Sequence, residues 1–303
     1  MIRLLRVAVT FLIIWFIVDQ VSINLDSLTD IDLGEWKPRI NLLLVSCFSL
    51  LTSYLLSALI WREIIGDIGH IHISITRAVS VFISANIFRY VPGKIWQIGG
   101  LAYLSQKSGI PTDLSILSAI LGQLLALCAA GILGLYAIFI SQTMEISNSL
   151  SVVALVFAVL LVGLYFIGWL GKTIISNHLI HTSYPWRAWR SFIPKWFFLY
   201  LLNWMLYIFS FWVFCDSIGF GNDFILIGSA FAGAYVLGYL AVLTPAGLGV
   251  REATLVALLD PVIVSEEALI VALLSRLWTT LVEVVPGIPL LISHLRHEKE
   301  SFL

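Results

Sequence analysis

The sequence predicts an all-α polytopic membrane protein with about six full transmembrane helices and two broken, re-entrant helical hairpins. Three observations carry that prediction. The 303 residues are 60% hydrophobic and only 12% charged, where a soluble domain carries about 25% charged residues. Apolar runs near the roughly 20 residues that a spanning helix needs recur from one end to the other. Two further apolar stretches are interrupted by Pro and Gly at comparable places in the two halves. The whole chain, 1–303, reads as one transmembrane domain without a soluble domain. Its formal net charge of −1 gives no electrostatic footprint for nucleic acid.

The first run follows Arg3 and Arg6 and resembles a signal peptide. Asp19, Gln20, Val21 and Ser22 follow it without a small-x-small cleavage site, so it reads as an uncleaved first span over 4–23. The remaining clear spans are 41–61, 114–141, 150–171, 195–215 and 267–292. The two interrupted stretches are 78–103 and 224–259. The first is broken by Arg89-Tyr-Val-Pro92-Gly93-Lys94, the second by Thr244-Pro245-Ala-Gly247-Leu-Gly249-Val-Arg251-Glu252. Proline removes a helix hydrogen bond and clashes with the preceding turn, so each stretch is expected to be helix–break–helix.

Charge placement orders these segments. With the N-terminus inside and each broken stretch entering and leaving on one side, the inside segments carry eleven basic residues. These are Arg3, Arg6, Arg62, Arg77, Lys107, Lys172, Arg187, Arg190, Lys195, Arg296 and Lys299. The outside loops carry only Lys37 and Arg39. This is the positive-inside bias of a multi-pass protein of the bacterial or archaeal cytoplasmic membrane with both termini cytoplasmic. Treating the breaks as full spans moves Lys172, Arg187, Arg190 and Lys195 outside and weakens the bias. In the favoured topology the two hairpins open to opposite sides. Pro92 and Pro245 lie 153 residues apart. Interrupted segments at matching positions of two halves point to an inverted-topology repeat, here 41–141 and 195–292, with a site near the midplane. The alternative is two unrelated kinks.

A charge within a membrane segment costs about 2.5–3.5 kcal/mol on insertion scales and persists when it is paired or faces a cavity. The candidates are Arg89, Lys94, Arg251, Glu252, Arg276 and Glu283. Arg276 and Glu283 are seven residues apart, nearly two helical turns, and share one face. At the first break, Arg89, Lys94 and Gln97 surround a Pro-Gly turn whose following helix offers free backbone N–H groups, a cradle for phosphate. The second break repeats the arrangement with Arg251. The competing readings are interfacial snorkelling of Arg89 and Lys94, solvation of Arg251 and Glu252 in a surface loop, and a structural charge pair on the last span. Pro92, Gly93, Pro245, Gly247 and Gly249 are the residues that break the helices.

Other features are weaker. Trp196, Trp204 and Trp212 read as lipid-facing or belt aromatics, with an isoprenoid groove as the alternative. Gln97 and Gln123 read as interhelical hydrogen-bond formers. Cys47, Cys128 and Cys215 read as small core residues. His70, His72, His178 and His181 read as solvated loop residues, and neither a metal site nor a cofactor motif is expected.

The segments Arg89-Tyr-Val-Pro92-Gly93-Lys94-Ile-Trp96 and Pro245-Ala-Gly247-Leu-Gly249-Val-Arg251-Glu252 resemble the paired signatures of a flippase-like family. That family is related to the transmembrane translocase domain of lysylphosphatidylglycerol synthase, the multiple peptide resistance factor. The second motif departs from the family's usual Pro-Gly-Gly, with Ala246 in place of one glycine. The resemblance implies translocation of an anionic lipid, a polyprenyl-phosphate or polyprenyl-phosphate-linked sugar for cell-envelope glycan assembly, or a phospholipid such as aminoacylated phosphatidylglycerol. No aminoacyl-transferase domain accompanies these motifs, so a transporter is expected rather than an enzyme, with glycan-assembly enzymes as partners. The headgroup would meet Arg89, Lys94, Gln97, Arg251 and Arg276, while Glu252 and Glu283 balance charge or couple to protons. The rival expectations are a membrane-embedded glycosyl or lipid transferase, which needs a carboxylate cluster, and a non-catalytic envelope scaffold.

Overall fold

A computed structural model of the chain describes residues 37–91, 95–140, 186–241, 247 and 249–300. Among them are eight α-helices and one 3-10 turn. The first half contains α1 (Ile40–Gly69), α2 (Ile75–Asn86), the 3-10 turn Ile87–Tyr90, α3 (Ile95–Lys107) and α4 (Thr112–Ile140). The second contains α5 (Trp186–Ser217), α6 (Phe224–Leu240), α7 (Val250–Leu259) and α8 (Ser265–Glu300). Four helices are long and apolar enough to cross a membrane, over Ile40–Gly69, Thr112–Phe139, Ser191–Ser217 and Glu266–His294. They match the expected spans 41–61, 114–141, 195–215 and 267–292. The expected spans 4–23 and 150–171 lie outside the described residues. Both interrupted stretches are broken helices: α2 and its 3-10 turn end at Tyr90 and α3 starts at Ile95, while α6 ends at Leu240 and α7 starts at Val250.

Local sequence sets several of these boundaries. Ser74 caps α2 by accepting a hydrogen bond from the Arg77 N–H at 3.4 Å, and Asp223 caps α6 through the Leu226 N–H at 2.9 Å. α1 stops where His70 turns left-handed at φ 53°, its N–H bonding to the Gly66 carbonyl. α1 therefore runs past the expected end at residue 61, and Arg62 lies on the helix rather than in a loop. The extension is held from both sides. Ile64, Ile65 and Ile68 are fully buried, and Lys195 of α5 bridges Glu63 and Asp67 at 3.0 Å each.

α1 and α5 pack along one another in opposite directions. Arg39, before α1, binds the Asp216 side chain at the end of α5 at 2.6 Å, and Lys195 meets Glu63 and Asp67 at the other end. α4 lies along α6, and α8 lies against α2. Exchanging the first four helices with the last four leaves this set of pairings unchanged. Small residues permit the closest approaches. A Cβ on Gly134 of α4 would sit 2.6 Å from the Gly233 nitrogen of α6, and one on Gly287 of α8 would sit 2.6 Å from Ile87. Outward faces are apolar, as in the stripe of Ile40, Leu44 and Phe48 along α1.

The tryptophans correct the sequence reading. Trp196 and Trp204 are buried and Trp212 is half-buried, so none is simply lipid-facing. Their polar tips find partners inside the protein: Trp196 Nε1 donates to Asp67 at 2.8 Å and Trp212 Nε1 to the Gly221 carbonyl at 3.0 Å. The Trp204 ring packs edge-on against Tyr235, with centroids 4.8 Å apart. Such ring pairs and satisfied N–H groups favour the interior over the lipid face.

Candidate functional site

The two breaks face each other across α8. That helix presents Arg276, Thr279, Thr280 and Glu283 on one side, the i, i+3, i+4, i+7 pattern of a single helical face. Glu283 reaches the first break. Its Oε1 lies 3.1 Å from Arg89 Nη1, and its Oε2 accepts a 2.7 Å hydrogen bond from the Tyr90 hydroxyl. Arg276 reaches the second break, with Nε 3.5 Å from Glu252 Oε1. The other oxygen of Glu252 accepts from the Gly249 N–H at 2.7 Å and caps the start of α7. One helix thus ties its carboxylate to one break and its guanidinium to the other.

Glycine shapes the second break. Gly247 and Gly249 adopt φ of 74° and 81°, in the left-handed region where a Cβ is costly. A Cβ on Gly247 would also sit 2.5 Å from the Gly238 carbonyl oxygen, and one on Gly238 would sit 2.7 Å from Arg251 Cβ. The turn therefore presses against the end of α6 and directs Arg251 inward. The Arg251 guanidinium lies over the Phe231 ring, 4.9 Å from its centroid.

These groups line one cavity together with Tyr54, Tyr207, Tyr235 and Tyr239. Glu283 is 3% exposed, Glu252 12%, Arg276 20% and Arg89 28%. Among the described residues three arginines here meet two glutamates, which leaves one cation in excess. Removing an ion from water costs several kcal/mol even after relaxation, so a buried excess charge calls for a counter-ion. Hydrogen bonding is also incomplete among the described residues. Arg89 Nε and Arg251 Nη2 are buried without hydrogen-bond partners, and Glu283 Oε1 lacks hydrogen-bond geometry to its arginine. Such a centre is chemically suited to receive an anion with several acceptor oxygens.

Of the residues expected from sequence, the structure brings together Arg89, Gln97, Arg251, Arg276 and Glu283, with Glu252 directly behind Arg276. Arg251 and Glu252 are half-buried rather than solvated. Lys94, Pro92, Gly93 and Pro245 lie outside the described residues. Sequence reasoning missed the tyrosines. One signal was present: the hydroxyls of Tyr54 and Tyr207 are 3.1 Å apart, and these residues are separated by 153 positions, the same interval as Pro92 and Pro245.

The family model described as "Lysylphosphatidylglycerol synthase TM region" matches residues 3–287. The chain belongs to this family. The matched region includes both breaks and the charged residues of α8. Neither a curated protein nor a solved structure matches the chain.

Proposed function

We propose that this chain translocates an anionic lipid across the cytoplasmic membrane, binding the headgroup phosphate between the two helix breaks while the tail stays in the bilayer. The observation that carries this reading is the cluster of half-buried Arg89, Arg251 and Arg276 against only Glu252 and Glu283 among the described residues. A phosphate cannot cross hydrocarbon without counter-charge. The cluster supplies that charge at the meeting point of the two broken helices. Polyprenyl phosphate, or a polyprenyl-phosphate-linked sugar used in envelope glycan assembly, is the preferred cargo. Aminoacylated phosphatidylglycerol is the second reading, favoured by the description of the family. In both readings the chain is a carrier that performs no group transfer, working alongside the enzymes that make or consume its lipid.

The proposed topology has both hairpins re-entrant. Its support is which helix ends meet. Trp61, late in α1, donates to Ser118, early in α4, at 3.0 Å. A Cβ on Gly69, the last residue of α1, would collide with Leu114. The stretch between α1 and α4 therefore leaves and returns at one end of the bundle. At the opposite end Trp212 of α5 packs against Phe224, where α6 begins. The far end of α8 meets α2 through His294 and Ser80, 2.8 Å apart. These contacts support a topology in which the α2–α3 and α6–α7 hairpins open to opposite sides, as an inverted repeat requires.

The direct test is reconstitution of the purified chain in liposomes containing labelled polyprenyl phosphate, its monohexosyl form or phosphatidylglycerol. Leaflet exchange of at least one of them above protein-free vesicles is expected. Unchanged exchange for all three overturns the proposal.

A further inference from the structure

The cavity has two lobes of different chemistry. The first holds the charges described above. The second extends between α1, α4 and α5 and includes Trp61, Gln123, Asn203 and Trp204. The lobes adjoin across a shared wall of Tyr54, Arg89, Gln97, Tyr207, Tyr235 and Tyr239. Among the described residues lining the second lobe there is no carboxylate, and Arg89 is its only charge. Its remaining polar side-chain groups are amides, hydroxyls and indole N–H groups.

The difference follows the two halves of the chain. Stepping by the 153 positions that separate Tyr54 from Tyr207 brings Gln123 onto Arg276, Ile98 onto Arg251 and Ala130 onto Glu283. The site charges Arg251, Arg276 and Glu283 thus have neutral counterparts in the first half.

We infer that the second lobe receives an uncharged, hydroxyl-rich group attached to the phosphate, a sugar or a glycerol-like polyol, while the phosphate sits among the arginines. This inference rests on the lipid-translocation reading above. A sugar hydroxyl is both donor and acceptor, and amide side chains answer both roles. Trp61 and Trp204 add apolar ring surface to the lining of this lobe. The lobe is also preorganised. Asn203 accepts from Ser53 at 3.0 Å and donates to Ser57 at 2.9 Å, Gln97 donates to Asn86 at 3.0 Å, and Trp61 donates to Ser118 at 3.0 Å. Gly122 leaves room for the Tyr200 hydroxyl, which would lie 2.5 Å from a Cβ there. An aminoacyl headgroup fits poorly. Its ammonium would find no carboxylate among the described residues of this lobe and would meet Arg89 in its wall, while Glu283 and Glu252 are engaged by Arg89 and Arg276.

Equilibrium binding of labelled lipids to the full chain in nanodiscs tests this. The probes are bare polyprenyl phosphate, its monohexosyl form, phosphatidylglycerol and lysylphosphatidylglycerol. The hexosyl lipid is expected to bind about tenfold tighter than bare polyprenyl phosphate, the gain of one or two net hydrogen bonds. Lysylphosphatidylglycerol is expected to bind more weakly than phosphatidylglycerol. Gln123→Leu should abolish the advantage of the hexosyl lipid, and Gln123→Glu should raise the affinity for lysylphosphatidylglycerol by supplying the missing carboxylate. Equal affinities for the bare and hexosyl lipids, or tightest binding of lysylphosphatidylglycerol to the unsubstituted chain, overturn the inference and leave lipid translocation standing. Binding of none of the four overturns both.

Discussion

Arg89 and Glu283, separated by 194 positions, form an ion pair at 3.1 Å, the carboxylate buried and the guanidinium half-buried, that fastens the first helix break to the last long helix. The same helix fastens the second break through Arg276 and Glu252 at 3.5 Å. Any movement of one break relative to α8 must separate charges in a setting of low polarity. Under the proposed function, headgroup phosphate would compete with Glu283 and Glu252 for these arginines.

Glu283→Gln is expected to destabilise the protein strongly, because it leaves Arg89 without its charge partner. Breaking a buried pair from one side costs about 3–5 kcal/mol. The double variant Arg89→Leu/Glu283→Leu should recover most of that loss. A thermal-unfolding double-mutant cycle in detergent measures the coupling, and simple additivity of the two single changes would show that the pair is not coupled.

Arg251→Ala should separate function from stability. Its guanidinium rests on Phe231, a contact worth about 0.5–2 kcal/mol, and its Nη2 is buried without a partner among the described residues. The unfolding temperature should shift little, while liposome translocation falls at least tenfold, the equivalent of about 1.4 kcal/mol of phosphate binding. Wild-type transport by a well-folded Arg251→Ala protein contradicts the proposed headgroup site.

The two break glycines should differ in tolerance. Gly249→Ala pays the left-handed conformational cost alone, about 1–2 kcal/mol, since its Cβ would meet nothing within 4 Å. Gly247→Ala adds a collision with the Gly238 carbonyl. Thermal unfolding should rank Gly247→Ala well below Gly249→Ala, and the reverse order would contradict the geometry of the turn.

At the α4–α6 contact, Gly134→Ala should lower stability because its Cβ would press on the backbone of Gly233. Gly99→Ala, on α3 with nothing within 4 Å, should be neutral or stabilise by up to about 1 kcal/mol through helix propensity. The comparison is again by thermal unfolding, with equal losses as the contrary result.

Cysteine labelling tests the topology. In a background with Cys47, Cys128 and Cys215 replaced, an impermeant thiol reagent added outside cells should label Gly219→Cys and Asp260→Cys but not Ser108→Cys. Labelling of Ser108→Cys from outside would mean that the first hairpin spans instead of returning.

Much of the architecture is local and was readable in the chain itself. Long apolar runs have to become helices in a bilayer, where each backbone polar group needs an internal partner. Proline and glycine clusters have to interrupt them, which places both breaks. Helical periodicity alone puts Arg276 and Glu283 on a single face. Only the tertiary structure decided that Glu283 meets Arg89 and Arg276 meets Glu252, that Trp196 and Trp204 turn inward, and that α1 continues to Gly69. Those outcomes depend on which helices become neighbours, and on small residues and charge pairs matching between helices, from Arg276 and Glu252 within one half to Arg89 and Glu283 across both. A one-dimensional pattern carries the face of a helix but not the identity of what it will touch.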